Sequence, residues 1–287
     1  MRRTLVALSS FLGLLAAPLS AATVEAGTEA RSEADFCKGC EALVELALAH
    51  PSRKDDHGRD AYRHPAETLS FFRIRPDMKV GEYEPGSGWY TRVLAPYLAN
   101  EGHLTGLFFN PKQLPFEADD INATAAGFAD QVATWTGLPA RSFSGMTLET
   151  VPDDQKGTFD RILVVRMMHN MMRWNVADGE IKAMRALLKD EGLLGIVQHR
   201  ARADAPYAVS DGNRGYLREA DVIKFMEVNG FELVGKSEVN ANPKDTADWE
   251  EGVWTLPPSY ALKDKDKAKY AAIGESDRMT LLFRKRP

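Results

Sequence analysis

Residues 80–91, VGEYEPGSGWYT, set two carboxylates, Glu82 and Glu84, directly before Gly86 and Gly88. Glycines let a backbone approach a ligand closely, and a helix opening after such a turn offers free N–H groups, so the segment is a candidate ligand turn. It is not a full dinucleotide fingerprint: Glu84 stands at the first glycine position and Thr91 at the third one in register after Gly88. A turn with no ligand is the alternative. The second group is RMMHN, with Arg166, His169 and Asn170, joined by His199 further on. A histidine near its ordinary pKa can take a proton from an oxygen or nitrogen nucleophile. Hydrogen-bonded structural histidines are the competing reading.

Two further groups are less specific. Cys37 and Cys40, the only cysteines, form CxxC. Glu41 follows where haem attachment needs histidine, and the pair does not open the first helix of a thioredoxin-like fold. A local bridge or free pair remains, with zinc requiring His50 and His57 in addition. Met167, Met168, Met171 and Met172 suit either a soft metal or core packing. Asn240, Asn242, Asp245 and Asp248 suit a pocket wall, a cation or loop turns, and Trp249, Trp254 and Tyr260 suit a substrate cover or the packing of their own segment.

The elements that must position these groups alternate. Strands are expected over 78–83, 104–109, 141–143, 159–165, 193–198, 231–239 and 279–284. Helices are expected over 89–98, 118–134, 178–189 and 221–228. Phe128 and Val132 mark one helix face. Ile181, Met184, Leu187 and Leu188 mark another, with Asp178 as its N-cap. Such alternation predicts an α/β fold with a mainly parallel sheet covered on both faces. Ahead of it, Ala42, Leu43, Leu46 and Ala47 recur at helical spacing until Pro51, and Pro65 opens a short helix through Phe72. A polar stretch, 240–276, carries Pro243, Pro257, Pro258 and KDKDKAK, and a structureless connection of that length is uncommon.

The chain has 287 residues and net charge −5. Arg2 and Arg3, the apolar run 5–15 and small residues through Ala22 read as a secretory signal peptide over 1–22, followed by a leader and helix with CxxC over 23–57. Export makes the protein periplasmic or secreted and permits a disulfide. Loss of two arginines with that leader leaves 34 basic against 41 acidic residues, which disfavours nucleic acid as the partner. No later run is apolar enough to span a bilayer, so no membrane association is expected after cleavage.

The stretches AYRHPAETLSFF, EYEPGSGWYTRVLAPYL, FDRILVVRMMHN, GYLREADVIKFMEVNGFELVG, NANPKDTADWEEGVWTLPP and AIGESDRMTLLF resemble the class I S-adenosylmethionine (SAM) dependent methyltransferases, within them a bacterial branch with signal peptides. The resemblance covers nearly all of 58–287. It implies a Rossmann-like, seven-stranded sheet with an antiparallel last strand, an insert at 240–278, and SAM across the carboxyl ends of the first strands. It places Glu82 at the acidic end of the first strand, and Glu84, Gly86 and Gly88 in the glycine loop. Trp89, Tyr90, Asn110 and Thr147 then stand around the cofactor, and His169, Asn170 and His199 stand on the acceptor side. Tyr62, Arg63 and His64 resemble the cap that closes over it. Phe108 and Met146 stand where the family carries acidic residues for the ribose and adenine. The expected activity is methyl transfer to a small-molecule acceptor. The alternatives are a binding or stress-related protein that kept the fold without the cofactor, and a metal-binding protein using the CxxC or the methionines.

Overall fold

The run FDRILVV at 159–165 buries Ile162, Leu163 and Val164 in succession, the pattern of a strand covered on both faces. The computed structural model describes residues 37, 39–114 and 117–287, so the expected leader over 1–22 and the polar stretch behind it lie outside the described residues. Seven strands, β1 (Lys79–Tyr83), β2 (His103–Phe108), β3 (Phe143–Thr147), β4 (Phe159–Val165), β5 (Leu188–His199), β6 (Phe231–Ser237) and β7 (Arg278–Lys285), form one sheet. Their order is β3-β2-β1-β4-β5-β7-β6. β1 to β5 pair in parallel, and β7 runs antiparallel to both its neighbours. The expected sheet with a reversed last strand is the one formed.

Among the described residues ten α-helices accompany it: α1 (Cys40–Leu48), α2 (Asp60–Arg63), α3 (Pro65–Phe71), α4 (Thr91–Leu98), α5 (Ala118–Thr136), α6 (Met168–Arg173), α7 (Ala177–Leu187), α8 (Tyr207–Ser210), α9 (Glu219–Val228) and α10 (Lys267–Ile273). Among the described residues, no helix is long and apolar enough to cross a membrane. Cys37 and Cys40 form a disulfide at the start of α1, whose Val44 and Ala47 are buried.

Several boundaries move for physical reasons. The third strand runs over Phe143–Thr147, not 141–143, because residues 140–142 form a 3-10 turn. Met146 thus lies inside the strand, paired with Leu107. This edge strand carries Ser144 and Gly145, which give no apolar alternation. Gly145 pairs with Gly106 beneath α5, and a Cβ there would run into the carbonyl oxygen of Ala125. Asp178 does not cap α7. It sits exposed in the first turn, 2.6 Å from Lys182, while Glu180 turns inward. β5 begins at Leu188, which pairs with Phe159. A register shift follows before Leu193 joins Arg161, so Gly192 lies within the strand.

The insert is not structureless. A 3-10 turn (Gly252–Thr255) and α10 interrupt it, and Val253 and Ala247 pack with Tyr216, Ala201 and Ala205 in a small core of their own. Asp245 accepts hydrogen bonds from the Tyr216 hydroxyl, the Trp249 indole and the amides of Ala247 and Asp277. Asn240 donates to Thr68 and Thr280, Asn242 donates to the carbonyls of Ile273 and Glu275, and Asp248 bonds Thr246. These polar residues fasten the insert and lie outside the clefts at the carboxyl ends of β1 and β4. Met168 and Met171 are fully buried in the main core.

Gly145→Ala should cost about 1–3 kcal/mol, because the clash is with backbone that cannot rotate away. Urea denaturation would show it as a lower midpoint at unchanged slope.

Candidate functional site

β1 lies between β2 and β4, so the strand order reverses there, and the crevice at the carboxyl ends of β1 and β4 is the topological switch point of the sheet. The chain leaves β1 at Tyr83 and turns with positive φ at Glu84 (47°), Gly86 (57°) and Gly88 (78°) before α4 starts at Thr91. A carboxylate-bearing residue costs on the order of 1–2 kcal/mol in this conformation. Two bonds hold it there: the Glu84 N–H donates to the Leu107 carbonyl at 2.8 Å, and its Oε1 accepts the Phe109 N–H at 2.7 Å. Gly86 is exposed, and a side chain there would meet only the Glu84 carbonyl oxygen, at 4.0 Å. Gly88 is glycine for another reason, since a Cβ would strike the ring of Trp135.

The crevice is a cleft of about 820 Å³. Glu82, Trp89 and Tyr90 wall its β1 side, Arg166, His169 and Asn170 its β4 side, and His199 closes it from β5. Arg173 and Trp254 complete the lining, with the guanidinium of Arg173 4.9 Å from the ring of Trp174 and 5.6 Å from that of Trp254. On the far side of the turn, a second cleft of about 900 Å³ shares Glu84, Pro85 and Gly86 but is lined by Phe108, Phe128, Trp135 and small residues of α5. The turn therefore separates a polar space from an aromatic one.

Burial sets the protonation of the polar cleft. Glu82 is 3% exposed and accepts a 2.7 Å hydrogen bond from the Thr91 hydroxyl. Burial pushes its pKa to about 7, with Thr91 and Arg92 opposing. Glu84 is also pushed to about 7, first by burial, with the Phe109 N–H opposing and Glu180 adding to the rise. His169 places Nδ1 3.3 Å from Oε1 of Gln198, and the Gln198 Nε2 donates to the Gly215 carbonyl at 2.8 Å. Oε1 is thus the acceptor, His169 Nδ1 the donor, and His169 Nε2 carries a bare lone pair. Burial lowers the His169 pKa to about 4. His199 is hydrogen-bonded to Ser276 at 2.6 Å and is pushed well below the usual range by burial and by His169. Their ring centroids are 5.6 Å apart, and both rings are neutral at pH 7.

One carboxylate organises the cationic side. Glu275 pairs with Arg59 at 2.9 Å, Arg63 at 2.9 Å and Arg278 at 3.0 Å. Burial alone would raise its pKa, but Arg278, Arg63 and Arg59 outweigh that and hold it at about 2. Arg63 in turn lies 4.7 Å from the ring of Trp89, so the N-terminal cap reaches the wall of the cleft.

Of the residues singled out in the sequence, Glu82, Glu84, Gly86, Trp89 and Tyr90 share the cleft with Arg166, Met167, His169, Asn170, His199 and Trp254. Gly88, Asn110 and Thr147 do not line it. Gly88 accommodates Trp135. The Asn110 N–H is taken by Glu180 Oε1 at 2.9 Å, and its Oδ1 accepts the Lys112 N–H at 2.9 Å in a local turn. Thr147 ends β3 opposite Phe108, whose ring packs on Phe128 at 5.7 Å. Arg173 was missed, although it stands one helical turn after His169 on α6, at the i, i+4 spacing that shares a face.

Glu275→Gln should destabilise the fold by about 3 kcal/mol, because three guanidinium groups lose their shared counter-charge. The carboxylate's stabilisation is complete above the unfolded-state pKa of about 4.3 and is lost as pH falls toward 2. Denaturation midpoints between pH 2 and 7 should show that acid limb in the native chain and a shallower one in the variant.

No family model matches the chain, and no curated protein matches it. Solved structures do. The [4+2]-cyclase SpnF superposes with a TM-score of 0.51 at 16% identity over 78% of this chain and 80% of its own. A protein from Galdieria sulphuraria described as a candidate sarcosine dimethylglycine methyltransferase gives 0.51 at 12% identity, over 78% and 84%. The strand order and the reversed β7 agree with these likenesses: the chain has the class I methyltransferase fold.

Proposed function

We propose that the protein is a SAM-dependent methyltransferase acting on a small-molecule acceptor. One observation carries this: at the switch point, an open glycine turn parts a polar cleft headed by Glu82 from an aromatic cleft headed by Trp135. A ligand with an amino-acid group at one end and a nucleoside at the other matches that division. Glu82 would take the ammonium group, the turn at Gly86 would admit the sulfonium chain, and the aromatic walls would take the base. When bound, SAM supplies a methyl group open to in-line attack.

The acceptor side follows from bare lone pairs. His169 Nε2 has no partner among the described residues, and Asn170 Oδ1 is buried without one. Together they would orient the X–H of a hydroxyl or amine acceptor. A histidine of pKa about 4 is a weak base for such a group. Methylation makes the X–H far more acidic, so a weak base suffices to receive the proton as the methyl arrives. The reading extends to place: the leader over 1–22 and the Cys37–Cys40 disulfide support action in the periplasm or outside the cell.

A second reading, a binding or stress-related protein without the cofactor, draws on the end of β2. There the amides of Phe109 and Asn110 are already bonded to Glu84 and Glu180, and Phe108 is buried. A similar fold serves SpnF, described as a [4+2]-cyclase, so the fold alone does not dictate methyl transfer.

Isothermal titration of the leader-free chain with SAM and S-adenosylhomocysteine separates the two. One equivalent should bind, and Glu82→Gln should weaken binding roughly tenfold or more through loss of a charged hydrogen bond. Absence of heat at millimolar ligand would establish the second reading instead.

A further inference from the structure

Arg166 lines the cleft, yet among the described residues it makes no ion pair. Its Nε is buried without a hydrogen-bond partner, and among the described residues no carboxylate pairs with it. The charge around it is mostly of the same sign, with Glu275 the one carboxylate set against Arg63, Arg278 and Arg59. Arg63, Arg278 and Arg59 share the single carboxylate of Glu275, and both terminal nitrogens of Arg63, behind Trp89, are also without partners. Arg173 adds a cation at the rim. On the opposite wall, burial raises the pKa of Glu82 to about 7, which weakens it as a counter-charge. A buried excess of guanidinium charge facing an open cleft favours a negatively charged ligand.

The backbone carries an independent sign. Arg166 holds φ at +58°, with its N–H donating to the Val197 carbonyl at 2.6 Å. Glycine would occupy that position without strain. Strain retained at a cleft residue points to a task for its side chain.

We propose that Arg166 binds an anionic group of the substrate, a carboxylate or a phosphate, and so selects methyl acceptors that carry such a group beside the reacting hydroxyl or amine. The anion seats on Arg166 with Arg173 nearby, and the neighbouring X–H then faces His169 Nε2 and Asn170 Oδ1. The word acceptor rests on the methyltransferase reading, whereas the anion site does not.

The test is titration of the leader-free chain with inorganic phosphate and, separately, acetate, in low-chloride buffer, alone and with saturating S-adenosylhomocysteine. Tryptophan fluorescence is the readout, since Trp89 and Trp254 line the cleft. One equivalent of at least one anion should bind under both conditions, and the tighter of the two identifies the group. Arg166→Met and Arg166→Gly should each weaken it at least about tenfold. Arg166→Gly should also keep or raise Tm, because it relieves the strained φ and an unpartnered buried charge. A merely structural arginine would lower Tm in both variants. The proposal is overturned if neither anion binds, or if Arg166→Gly binds as well as the native chain. It is equally overturned if S-adenosylhomocysteine displaces the anion while 5′-methylthioadenosine does not, since Arg166 would then serve the cofactor's own carboxylate. Should S-adenosylhomocysteine fail to bind while phosphate or acetate binds through Arg166, the anion site stands and the cofactor reading falls.

Discussion

A single buried carboxylate, Glu275, ties the two ends of the domain together. It joins Arg59 and Arg63 on the N-terminal side to Arg278 at the start of β7, more than two hundred residues away in the chain. Two charges removed from water cost several kcal/mol each unless they meet with good geometry and further bonds. Here three guanidinium groups share one acceptor, and Arg63 gains the face of Trp89 while Arg278 reaches the carbonyls of Tyr62 and Ser276. The cluster places the cap against the glycine turn, and through Ser276 it fixes the ring of His199. It also leaves positive charge uncompensated, which is where Arg166 acquires its significance.

The same burial that makes this cluster costly sets the chemistry of the cleft. Burial raises Glu82 to about 7 and lowers both histidines, so at pH 7 the walls hold neutral imidazoles beside guanidinium cations. Burial lowers Arg166 to about 9, helped by Arg63 and Arg278, yet that still leaves it charged at neutral pH. Glu84 shows how a departure from the usual glycine loop is accommodated: its carboxylate bonds the Phe109 amide and so replaces conformational freedom with a hydrogen bond.

Much of this was legible in the residues. Continuous apolar runs such as FDRILVV announce covered strands, and positive φ at Gly86 and Gly88 is what glycines after a strand predict. The polar cleft gathers all three residues expected on the acceptor side, His169, Asn170 and His199, because the ends of parallel strands converge by topology. What the sequence hid depends on contacts between distant segments. Nothing local distinguishes Glu275 from any acidic loop residue until Arg63 is brought beside it. Edge strand β3 is invisible to alternation because Gly145 answers to the closeness of α5. Asn110 is expected beside the cofactor, yet its backbone N–H bonds Glu180, seventy residues on, and its Oδ1 accepts the Lys112 N–H.

The central claim is that the cleft between Glu82 and Arg166 is where ligands bind. A crystal structure of the protein with S-adenosylhomocysteine tests it most directly. The account predicts density across the turn at Gly86, with the amino-acid end beside Glu82 and the adenine against Phe108 and Trp135. Density elsewhere, or side chains closing both clefts, would contradict it.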